Sequence, residues 1–165
     1  MVKLYQRSLT QKGNICFLIS WLCMFLFIHK GIPYDSFVIF GHYVTIFINS
    51  AYLFFCYDRM QTMTDIRPLV QIRLKRSVLW KQLSWISIAN ILLYVVLVFL
   101  IPLFWISVSD IEQYLTFIFM NILMFTCNEV LYAEQIMKNK HAFLVLVPVI
   151  LNFSFHFGWI LMIWG

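Results

Sequence analysis

A chain of 165 residues could form one domain, but 62% of it is hydrophobic and only 12% charged, too little polar material to clothe a water-soluble globule. The formal charge of +5 would suit a nucleic-acid partner if its Lys and Arg residues made a surface of their own. They fall instead at the ends of apolar runs, which argues against both a soluble domain and nucleic-acid binding.

A membrane-spanning helix takes roughly 20 residues, so about five helices, one loop and short tails use up the whole sequence. The expected fold is therefore all-α: a polytopic integral protein of the cell membrane with a single transmembrane domain. The first apolar run, 14–32, follows Lys3, Arg7 and Lys12 as a signal peptide would. It continues through bulky Phe25, Phe27 and Ile28 to His29, Lys30 and Gly31 without a small-x-small cleavage pattern, so a retained helix is expected. Gly31, Pro33 and Asp35 suit a chain reversal into a second helix, 36–57. Residues 58–83 form a polar loop, and helices are expected at 84–108, 113–134 and 142–164, the last starting at His141 or Ala142.

The loop carries most of the functional information. Thr64 or Asp65 is expected to cap a short helix with Pro68 in its first turn, where the missing amide proton costs nothing. Ile66, Leu69, Val70, Leu74 and Val78 recur at helical spacing, while Arg67, Gln71, Lys75 and Arg76 fall largely opposite. An element with one greasy and one positive face can lie on the inner leaflet or dock into an acidic groove of a cytoplasmic partner. Equally, positive charge here can serve only to keep this side in.

Orientation follows from charge, because cytoplasmic flanks accumulate Lys and Arg. With the N-terminus inside and the C-terminus outside, Lys30 is the only basic residue left outside, and the outer loop 109–112 carries Asp110 and Glu112. Trp80, Trp85, Trp105 and Trp164 lie at expected headgroup levels.

Glu129 is the only acid well inside an apolar run, and a carboxylate at mid-bilayer costs roughly 2.5 to 3.5 kcal/mol. It is expected near the inner end of its helix, at the interface or paired with a cytoplasmic Lys or Arg. Asn121, Asn128 and Gln135 repeat every seven residues as a polar stripe that should face protein, with Asn49, Asn90 and Asn152 as candidate partners. His42 and His156 read as buried structural histidines. Cys16, Cys23, Cys56 and Cys127 read as small hydrophobes, with no CxxC pair. There is no GxSxG, HExxH or paired-acid motif, so neither catalysis nor a metal site is expected. No GxxxxGK[ST] loop exists either, so ATP would enter only through a partner subunit.

The stretch IRPLVQIRLKRSVLWKQLSWISIANILLYVVLVFLIP, residues 66–102, resembles the cytoplasmic segment and following helix of small Gram-positive ABC-2-type permease subunits, which act in bacteriocin or antimicrobial-peptide export and immunity. The likeness rests on Arg73 to Arg76, then Trp80, Lys81 and a long apolar helix. It implies a coupling element in which Arg67, Arg73, Lys75, Arg76 and Trp80 meet an ATP-binding subunit, with other membrane subunits and lipid as further partners. The family has six helices with both ends cytoplasmic, and only five are expected here. An immunity or accessory protein that transports nothing is the alternative.

Overall fold

The computed structural model describes residues 15, 18, 19, 22, 43–73, 76–104, 108–138 and 146–164, and for 43–45, 60, 64–73, 76, 135–138, 160, 163 and 164 it describes the backbone alone. Among these residues the fold is all-helical, without a strand. A π-helical stretch, Tyr43–Ile48, leads into α1 (Asn49–Arg73). Helix α2 (Arg76–Val95) continues through a π-helical stretch, Val96–Leu100, and a 3-10 turn, Ile101–Phe104. Helices α3 (Ile111–Lys138) and α4 (Leu146–Trp164) complete the described chain. Of the expected first helix, 14–32, only residues 15, 18, 19 and 22 are described; they are helical and exposed.

The expected end of the second helix at residue 57 falls inside α1, and the short helix expected to start at Thr64 or Asp65 is absent as a separate element. One helix runs from Asn49 to Arg73, with Pro68 in its body rather than its first turn. The segment lacks Gly and is rich in good helix formers, so hydrogen bonding carries the helix on after apolarity stops. The third helix likewise starts at Arg76 rather than 84. Most of what was expected as a loop is helical: one helix reaches Arg73 and the next begins at Arg76.

The irregular end of α2 has a local cause. Pro102 cannot donate to the carbonyl one turn back, and its ring crowds it. The helix widens before the proline, where Ile101 N–H donates to Val96 O, and tightens at it. A 3-10 bond to Phe99 O would need the N–H that Pro102 lacks, and the Tyr114 hydroxyl donates to that carbonyl instead, at 2.8 Å. Asp110 then caps α3: its Oδ1 accepts from Gln113 N at 3.0 Å and its carbonyl from Tyr114 N at 3.1 Å. This cap moves the helix start to Ile111, ahead of the expected 113.

Among the described residues, two helical segments are long and apolar enough to cross a membrane, Ser77–Phe104 with 28 residues and Ile111–Glu134 with 24. The described surface is greasy to match. Trp85, Leu92, Val96, Phe119, Leu123 and Phe157 all stand exposed, while Asn49, Arg59, Asn90, Asn121, Asn128, Glu129, Asn152 and His156 are buried. Three exposed hydroxyls are satisfied within their own helices: Ser84, Thr116 and Thr126 donate to the carbonyls of Trp80, Glu112 and Ile122 four residues back.

Replacing Tyr114 by Phe should leave the Phe99 carbonyl unpaired and cost on the order of 1 kcal/mol of stability. Asp110→Ala should cost about the same through loss of the cap, and Asp110→Asn almost nothing. Unfolding of the purified variants in mild detergent measures all three.

Candidate functional site: a buried ion pair joining three helices

Asn49, Tyr52, Cys56 and Arg59 are spaced three, four and three residues apart, which aligns them along one face of α1. Ser87 and Tyr94 share a face of α2, and Tyr114, Phe117, Asn121, Phe125 and Tyr132 run along α3 at the same kind of spacing. These faces meet in alternating polar and aromatic levels.

At one level Asn49 Nδ2 donates to Asn121 Oδ1 at 2.9 Å, Tyr94 Oη donates to Asn49 Oδ1 at 3.2 Å, and Asn121 Nδ2 donates to Phe117 O at 2.9 Å. Below it lies an aromatic layer. Tyr52 stacks on Tyr94 with centroids 4.2 Å apart, and Phe125 meets both edge-on at 4.8 and 5.3 Å. Such pairs contribute about 0.5 to 1.5 kcal/mol each beyond area burial.

Beneath the rings lies the ion pair. Arg59 Nη2 donates to both oxygens of Glu129, at 2.6 and 2.5 Å, with the two side chains 7% and 4% exposed. Cys56 Sγ donates to Oε1 at 3.1 Å and Ser87 Oγ to Oε2 at 2.7 Å. The carboxylate thus accepts from α1 and α2 at once, with both oxygens engaged. Arg59 Nη1 has no hydrogen-bond partner among the described residues; Arg59 lines a narrow cleft of about 10 Å³ with Met63, Leu83, Ser87 and Tyr132.

The two polar levels also set helix directions. Going from Asn49 to Arg59 on α1, the partners advance from Asn121 to Glu129 on α3 and retreat from Tyr94 to Ser87 on α2. Helices α1 and α3 are therefore parallel to each other and antiparallel to α2. The ion pair lies toward the end of the bundle at which the α1–α2 hairpin turns.

Of the intramembrane polar candidates, Asn121 and Glu129 join these two levels. Asn128 is buried, with Nδ2 on Met124 Sδ at 3.1 Å and Oδ1 without a partner among the described residues. Asn152 reaches across to Ser50 Oγ at 3.4 Å, and His156 is buried. The Gln135 side chain and His42 lie outside the described parts. Of the partner-binding candidates, Arg67, Arg73 and Arg76 are helical in backbone, with side chains not described, and Lys75 lies outside the described residues. Trp80 is half-buried and lines a groove between α2 and α3.

Arg59, Cys56 and Ser87 were not singled out from sequence as members of this site. Arg59 follows the apolar run by two residues and reads there as a flanking charge. Its signal was register, three residues beyond Cys56 and ten beyond Asn49. Among the described residues no group of three or more His, Cys, Asp or Glu is placed to hold a metal ion. Comparison of the chain with known protein families, curated proteins and solved structures finds no match.

Removing either charge leaves the other buried and unpaired. Arg59→Met and Glu129→Gln should each cost about 3 to 5 kcal/mol, and the double variant far less than their sum. A double-mutant cycle on unfolding in mixed micelles measures the coupling.

Proposed function

We propose that the chain is a multi-pass membrane protein of five transmembrane helices, with its N-terminus cytoplasmic and its C-terminus outside. In this reading it is the membrane subunit of an ATP-driven export or resistance system. The observation that carries the membrane part is the inverted distribution of polarity, with an ion pair and amides inside and large apolar side chains outside. Water would not tolerate that exterior, and lipid requires that interior. Orientation rests on charge: the hairpin end of the bundle carries Arg67, Arg73, Arg76 and Lys81, while the opposite end has Asp110 and Glu112.

The coupling role belongs to residues 58–83. Between Arg59 and Arg73 helix α1 rises about 21 Å, so Arg73 would stand clear of the headgroups and within reach of a cytoplasmic ATP-binding subunit. Arg67, Arg73, Lys75, Arg76 and Trp80 would make that contact, and no cofactor is assigned to the chain itself. A second reading, an immunity or accessory protein without transport, is favoured by the interior between α1, α2 and α3, which Tyr52, Tyr94 and Phe125 fill.

Affinity purification from native membranes in mild detergent tests the coupling role. An ATP-binding protein should accompany the chain at near-equal amount and be lost, at unchanged expression, on Arg73→Glu together with Arg76→Glu. Recovery of the chain alone, without any ATPase, overturns the subunit reading and leaves the accessory one.

A further inference from the structure

Helices α2 and α3 leave between them a groove of about 210 Å³ that opens on the greasy exterior. Its rim holds Ser84, Ile88, Thr126 and Val130, all exposed, and its floor Ile91, Glu129 and Ala133, all buried. Four of these lining residues are polar or charged in name, counting Ser87, yet their hydrogen bonds are made inside the protein. Ser84 donates to Trp80 O at 3.0 Å and Thr126 to Ile122 O at 2.7 Å. Ser87 donates to Glu129, whose oxygens also accept from Arg59 and Cys56, and whose charge Arg59 opposes. An occupant therefore needs no hydrogen bond along the groove, which suits a hydrocarbon chain.

One end of the groove differs. Trp80 lines it, and the next residue, Lys81, is exposed at the end where the α1–α2 hairpin turns. An indole lining the groove at this end and an exposed basic residue next to it in sequence match the headgroup level of a membrane, where positive charge favours anionic lipid. From this combination we propose that the groove is a binding site for an anionic phospholipid, with an acyl chain between α2 and α3 and its phosphate at Lys81 beside Trp80. The site rests on the membrane reading above.

The full chain, stripped of lipid in mild detergent, is offered dioleoyl phosphatidylglycerol or dioleoyl phosphatidylcholine, and bound lipid is counted by native mass spectrometry. One phosphatidylglycerol should be retained per chain, roughly fivefold more readily than phosphatidylcholine, as expected for one basic residue at a headgroup. Lys81→Gln should abolish the preference while leaving phosphatidylcholine retention unchanged. Val130→Trp, on the exposed rim where folding is least burdened, should block retention of both lipids. Equal retention of the two lipids by the unaltered chain overturns the site, as does retention indifferent to Val130→Trp. A dimer that Val130→Trp dissolves would assign the groove to a second copy and overturn it too. The membrane reading fails separately, if the chain washes off native membranes in alkaline carbonate.

Discussion

Among the described residues, the ion pair between Arg59 and Glu129 restricts the fold more tightly than any other contact. A hydrophobic side chain can slide along an apolar neighbour at little cost, but a buried guanidinium cannot leave its carboxylate without stranding both charges. A slide of α1 by one turn, about 5.4 Å, would part Arg59 from Glu129 and Asn49 from Asn121 together. Ser87 adds α2 to the same carboxylate, and Tyr94 adds it to the same amide. Two polar levels, ten residues apart on α1 and eight apart on α3, thus set the register of three helices.

The aromatic layer between those levels depends on that register and protects it. With the polar levels in place, the rings of Tyr52, Tyr94 and Phe125 close the space between the ion pair and the Asn49–Asn121 bond. Closing it keeps water from competing for the polar contacts, and a low local dielectric strengthens every bond they make. In the proposed bilayer the same logic extends to the outside. Lipid offers no partner to a stray donor, and Ser84, Thr116 and Thr126 direct theirs to the carbonyls of their own helices.

The helical class was legible because the apolar runs are about twenty residues long, a length that suits helices rather than strands. Helix ends were less so, because an apolar run marks where lipid could be, whereas a helix ends where its hydrogen bonding does. Thus α1 passes Tyr57 without interruption, and α3 starts at the Asp110 cap two residues before the expected boundary. Asn121 and Asn128, both buried, were readable from their seven-residue spacing on α3, and Glu129 from its isolation. Arg59 was hidden by its place in the chain, since a basic residue just past an apolar run has a sufficient explanation in topology. Only the fold shows it turned inward toward a carboxylate seventy residues away.

That inward turn bears on how the proposed coupling would work. Arg59 and Arg73 lie on one helix, so a load applied at the hairpin by the proposed cytoplasmic partner would reach the ion pair through helix rather than through a loop. Pro68 is the one position between them where a hydrogen bond of that helix must be missing, which makes it the natural point of flexure. On the far side of Pro68, Arg59 holds Glu129 of α3 while Cys56 and Ser87 hold the same carboxylate from α1 and α2. Movement of the hairpin beyond the range of that flexure must either carry α1, α2 and α3 together or break a buried charge pair. The cheaper outcome is concerted movement, so under the proposed coupling a basic hairpin anchored in this way would act on the bundle as a whole.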